Sequence, residues 1–153
     1  LKAKTIIDKK QSMSPKPIIY QAPVKIRFSD IDRYQHVNTT YYPDYVFTAR
    51  FEYMKKRWGT DPNQFEKEGI GFYTTRFESI FLKPILASVS EILITSNVYE
   101  TDRSLLKIQF QITDLDQKVQ FSKGSFDMFV IDLKTQKPVR EIPETMKALI
   151  WET

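Results

Sequence analysis

Between residues 71 and 131 the sequence falls into long strand-like runs, one of which alternates apolar and polar with a period of two, and these runs constrain the fold more than any other feature. In Leu105–Thr113, the apolar Leu106, Ile108, Phe110 and Ile112 alternate with Lys107, Gln109 and Gln111, the pattern of an antiparallel strand with one wet face. Residues 71–82, 88–99 and 119–131 read as three more long strands, with turn signals at Asp102 and Arg103 and again from Asp114 to Gln117. Residues 22–29 read as a fifth, with Val24, Ile26 and Phe28 on its buried side. Five such strands present a dry face that something must cover.

The cover is a single long helix. Between residues 40 and 58, Tyr42, Tyr45, Val46, Ala49 and Tyr53 recur at steps of three and four, Pro43 is tolerable only near the first turn, and Gly59 stops the run. Phe47, Phe51 and Met54 add apolar groups on its other side, which predicts burial nearly all round. A short second helix is expected at 63–67 after Asp61 and Pro62. Residues 135–138 close the last hairpin, and 142–151 fit a strand or a helix equally well. A chain of 153 residues with 41% apolar content makes one core. The expectation is therefore an α+β single domain over 21–153, a long central helix wrapped by about five antiparallel strands, after a Lys-rich loose arm over 1–20. An alternating edge strand in such a sheet invites pairing with a second copy.

Composition narrows the chemistry. The chain has no cysteine, which removes disulfides, thiolate nucleophiles and thiolate metal sites, and its single histidine removes most zinc sites. No apolar run approaches the roughly 20 residues of a membrane span, and the first residues do not resemble a secretion signal, so a cytoplasmic protein with no membrane partner is expected. The formal charge of +4 is too modest to point to nucleic acid.

The candidate chemistry lies in S-D-I-D-R-Y-Q-H-V-N-T-T-Y-Y-P-D-Y, residues 29–45. An EF-hand loop from Asp30 fails because Gln35 stands where glycine is needed and Tyr41 where glutamate is needed. A serine hydrolase built on His36 lacks the G-x-S-x-G elbow. The four glycines form no phosphate-cradling loop. Asp30 and Asp32 could share a cation, although so short a pattern is common by chance. A carboxylate ahead of a helix N-terminus remains. The first-turn N–H groups, near Asn38 to Tyr41, lack intrahelical partners and can hold an oxyanion, while an upstream carboxylate attacks a carbonyl or deprotonates water.

The run R-F-S-D-I-D-R-Y-Q-H-V-N, followed by Y-Y-P-D-Y and by A-R at 49 and 50, resembles the hotdog-fold acyl-CoA thioesterases of the 4-hydroxybenzoyl-CoA thioesterase type. It is most similar to the branch with D-x-D-x-x-x-H-V-N-N, shared in part by acyl-ACP thioesterases. F-L-K-P at 81–84 and K-P-V-R-E-I-P at 137–143 sit where that family has comparable segments. The resemblance implies a hotdog domain, homodimers or homotetramers with sites at the dimer interface, and an acyl-CoA or acyl-ACP substrate with no separate cofactor or metal. It places the catalytic carboxylate at Asp32, with His36 and Asn38 shaping the polar pocket. Thr39, Tyr41, Tyr42 and Tyr45 are the corresponding substrate-side residues, the tyrosines doubling as core and as walls of an acyl tunnel.

Two departures stand out. Thr39 replaces the second asparagine but can still cap a helix. Where many relatives carry a helix glutamate before A-R, this chain has Phe47 and Thr48, with Asp44 earlier, so Asp32 acts largely alone. Asp30 reads as a turn former or brace, Arg50 and Arg57 as solvated or interface residues, and Lys123 as a possible contact for a CoA phosphate. A hotdog hydratase would need a differently spaced acid–histidine pair. A non-catalytic acyl-CoA binding module would need no acid at position 32.

Overall fold

The computed structural model describes residues 15–152, and its long helix α1 (Tyr42–Trp58) ends where the sequence says it must. Gly59 takes a left-handed conformation (φ 66°) and donates its N–H to the Lys55 carbonyl at 2.9 Å, closing the last turn. The start comes later than expected because Thr39–Tyr41 form a tighter 3₁₀ turn, capped by Asn38. After Asp61, whose side chain accepts from the Gln64 N–H, comes α2 (Pro62–Lys67). Helix α1 buries one stripe, Tyr42, Tyr45, Val46, Ala49 and Met54, and leaves Glu52, Lys55 and Lys56 exposed with Phe51 at 40%. The expectation of burial nearly all round is corrected accordingly, because only one face of the helix meets the sheet.

The strands are β1 (Tyr20–Lys25), β2 (Ile70–Phe81), β3 (Glu91–Asp102), β4 (Leu105–Thr113), β5 (Gln120–Asp132) and the short β6 (Lys137–Pro138). They form one antiparallel sheet in the order β1-β3-β4-β5-β2, with β6 paired to β5. The sheet curls around α1. Ile92, Ile94, Ile108, Ile112, Phe126 and Val130 sit under the helix with essentially no solvent contact. Gly124 permits a close approach of its neighbours: a Cβ there would lie 2.0 Å from the Glu78 carbonyl oxygen and 2.7 Å from the Phe110 ring. This is the helix-in-sheet architecture that the sequence pattern and the family resemblance imply.

Two expectations fail at the edges. The first strand stops at Lys25, and Phe28, placed on its buried side by alternation, is 93% exposed. The chain leaves the sheet there because Phe28–Asp30 form a 3₁₀ turn, with the Asp30 N–H donating to the Arg27 carbonyl at 3.0 Å. Residues 1–14 of the expected arm lie outside the described residues. Its last part is packed: Ile18 and Tyr20 are buried, and the Ile18 N–H donates to the Ile150 carbonyl at 2.8 Å. The undecided C-terminal segment forms a short helix, α3 (Glu144–Lys147), before Trp151 pairs with Pro17. No helix among the described residues is long and apolar enough to cross a membrane.

Candidate active site

The segment between β1 and α1 is folded back on itself and fastened at both ends. The Asp32 N–H donates to the His36 carbonyl at 2.8 Å and the Gln35 N–H to the Asp32 carbonyl at 3.0 Å, a turn in which Gln35 takes φ 60°. Val37 N–H to the Ile85 carbonyl (2.8 Å) and Ala87 N–H to the Gln35 carbonyl (2.9 Å) tie this turn to the residues after β2.

Asp32 has two oxygens in two situations. Oδ1 accepts the Tyr34 N–H at 2.8 Å and, more loosely, the His36 N–H at 3.4 Å, so the carboxylate is oriented by the backbone of its own turn. Oδ2 has no hydrogen-bond partner among the described residues. Asp32 lines a cavity of about 270 Å³ with His36, Thr39, Tyr42 and the wall Phe81–Pro84. Tyr42 is buried at its inner end, its hydroxyl pKa raised by that burial, and its ring meets Phe81 edge-on at 5.1 Å.

The expected oxyanion donors reduce to one. The Asn38 N–H donates to the Asp30 carbonyl (2.8 Å), the Thr40 N–H to Asn38 Oδ1 (3.0 Å) and the Tyr41 N–H to the Asn38 carbonyl (3.0 Å). Only the Thr39 N–H lacks an acceptor among the described residues, and Thr39 is also a cavity residue. Asn38 caps the 3₁₀ turn, taking the Thr40 hydroxyl as well at 2.8 Å, and does not line the cavity.

Two of the expected substrate-side tyrosines point elsewhere. Tyr41 is exposed, with the Arg27 guanidinium 6.0 Å from its ring centroid. Tyr45 is fully buried; its hydroxyl donates to Asp30 Oδ2 at 2.5 Å and accepts the Arg27 N–H at 3.1 Å. Burial first, then the Asp30 contact, push the Tyr45 hydroxyl pKa up to about 12. Asp30 is 3% exposed. Burial opposes its ionisation, but hydrogen bonds from Tyr45, Arg27 and Ser29 outweigh that and hold its carboxyl below the usual range. Arg27 also reaches Asp44, and the two acids raise its pKa. Asp30 is thus the brace that the sequence suggested, and Asp44 is a surface ion-pair partner.

The shared-cation reading of Asp30 and Asp32 fails here. Asp30 closes a 3₁₀ turn and is engaged by Tyr45 and Arg27, so its carboxylate is not free to share a cation with Asp32. Lys123 lies in a larger groove of about 570 Å³ on the outer face of the sheet, with none of the cavity residues around Asp32. Sequence reasoning missed Phe81–Pro84 as a wall. The only signal was the F-L-K-P similarity, which said nothing about which residues it would face.

The sequence profile described as the thioesterase-like superfamily matches residues 26–150. The chain belongs to that superfamily. No curated protein sequence matches it. Among solved structures it is similar to the DHNA-CoA thioesterase from Staphylococcus aureus, with 20% identity, 80% of each chain covered and a TM-score of 0.71. The probable thioesterase YbaW from Escherichia coli gives 24% identity, 78% of this chain and 88% of that one, and a TM-score of 0.66. A hypothetical protein from Staphylococcus aureus, solved in complex with CoA, gives 15% identity, 90% and 85% coverage, and a TM-score of 0.73. At such identities these structures establish the fold of a thioesterase-like superfamily member, the hotdog, and the chemistry has to be argued from the site.

Proposed function

We propose that this chain is an acyl-CoA thioesterase of the D-x-D-x-x-x-H-V-N branch, hydrolysing a thioester to a free acid and a thiol with Asp32 as the reacting group. The observation that carries this reading is the division of labour at Asp32: Oδ1 is fixed by the Tyr34 N–H while Oδ2 has no partner among the described residues, and Asp32 lines one cavity with Thr39, whose N–H is likewise without an acceptor among them. In one route Oδ2 takes a proton from water as the hydroxide adds to the thioester carbon. In the other Oδ2 adds directly, giving an anhydride that water then cleaves. In both, the carbonyl oxygen becomes an oxyanion that the Thr39 N–H stabilises, the C–S bond breaks, and a proton goes to the departing thiolate. His36 borders the same space as a polar wall.

CoA as the carrier is supported by the relatives named for CoA chemistry and by Lys83 in the cavity wall, a cation suited to phosphates. A dimer is supported by the free edge of β2, where Ile80 and Phe81 are exposed together with Leu82 beside the cavity. Thiol release from a panel of short, medium, long and aromatic acyl-CoA esters tests the reading, with Asp32→Asn in parallel. Turnover by the wild type alone is expected. Inactivity on every CoA ester and on acyl-ACP, with tight binding retained, would make the protein an acyl-thioester binding module instead.

A further inference from the structure

Arg50 is a cation without an acid. It lies eight residues along α1 from Tyr42, about 12 Å of helix rise away from the Asp32 cavity. Its guanidinium stacks on Tyr20, 4.3 Å from the ring centroid, and Nη1 donates to Ser96 Oγ at 3.0 Å. The cations in ion pairs among the described residues are Arg27, Arg76, Lys107 and Lys147, and no carboxylate reaches Arg50. Burial lowers its pKa, yet a guanidinium stays protonated at any ordinary pH. Arg50 is half-buried rather than fully solvated, and it lines a cavity.

That cavity holds about 70 Å³ between α1, the sheet and the C-terminal segment, and Arg50 is its only charged wall residue. Phe47, Phe65 and Leu149 are among its apolar walls. So are Met54, Met128 and Met146, all the methionines among the described residues. Thioether chains are the most adaptable core residues, so these walls can move to admit a guest. A water needs roughly 10–15 Å³ on this measure, so the cavity admits about five non-hydrogen atoms before any wall moves.

We infer that this cavity is a second binding site, for a short aliphatic carboxylate of about three to four carbons, with Arg50 as its anchor. The chemistry selects that class. A planar carboxylate can take two parallel N–H donors from a guanidinium edge. A phosphate would bring more charge into apolar walls at greater desolvation cost. A neutral alkane would leave the donors unmet. The site is independent of the thioesterase reading, since it shares no residue with the Asp32 cavity.

The test is a titration of the full chain carrying 13C-methyl methionine with butanoate and, separately, with butanamide. Butanoate should shift the Met54, Met128 and Met146 methyl signals saturably, with butanamide binding about tenfold more weakly. Arg50→Gln should abolish that preference and Arg50→Lys should keep part of it. Asp32→Asn should bind butanoate as the wild type does. Equal binding of acid and amide, unmoved methionine signals, or loss of binding in Asp32→Asn would each overturn the inference. The wild-type comparison decides the matter even if Arg50→Gln does not fold.

Discussion

Asp30 and Asp32 stand two residues apart in the same loop in opposite surroundings. Asp30 is sealed in, with Tyr45, Arg27 and Ser29 all donating to its carboxylate and its own carbonyl holding the Asn38 N–H. Asp32 is half-buried, with one oxygen fixed by its turn and the other left open beside the cavity. The first acid therefore anchors the loop to α1, which presents the second to the cavity.

Substitutions at the two acids should separate these roles. Asp32→Asn keeps a side-chain oxygen for the Tyr34 N–H but loses the base or nucleophile, so thioester turnover should fall by about 10²- to 10⁴-fold with little change in melting temperature. Asp30→Asn should do the reverse in kind. It leaves Arg27 and Tyr45 facing a neutral amide and should cost about 3 kcal/mol in denaturant unfolding, the order expected when one partner of a buried charge network is removed. Activity should drop with it only as far as the loop loosens.

The pH dependence of stability sharpens the contrast. A carboxyl held below its unfolded pKa contributes stability that is present above that value, about 3.9, and lost as pH falls through the folded value. Acid melts of Asp30→Asn should thus be less pH-sensitive below about pH 4 than those of the wild type. At the alkaline end, Tyr45 and Tyr20 both have hydroxyls pushed up to about 12 by burial. A raised pKa means stability that is full below the unfolded tyrosine value, about 10, and lost as pH climbs through the folded value. Melting temperature should decline between those limits, less steeply in Tyr45→Phe. The smallest effect is expected at Asn38. Asn38→Ala removes a cap rather than a cavity residue and should cost about 1 kcal/mol in a urea melt.

The regular parts of this fold were legible in the sequence because their residues obey a period. The third long alternating run matches β4 end for end, and Gly59 and Asp61 with Pro62 mark the two helix boundaries. Contacts between distant segments carry no period, and there the reading failed. Phe28 continues an alternation that the backbone abandons at Arg27. Ile18 is met by residues near 150, and Tyr20 is covered both by them and by Tyr53 and Trp58 of α1. The loop motif singled out Asp32, His36 and Thr39, and all three line one cavity. It could not show that Tyr45 turns to Asp30 or that Phe81–Pro84 closes the cavity.

The most direct measurement of the central claim is kcat/KM for acyl-CoA hydrolysis by wild type, Asp32→Asn and Asp30→Asn, each with its melting temperature. The account predicts that Asp32→Asn melts like the wild type and barely turns over, while Asp30→Asn melts lower and keeps the larger share of activity. An Asp32→Asn protein that retained more than about a tenth of wild-type turnover would contradict it, because a general base or nucleophile contributes far more than that.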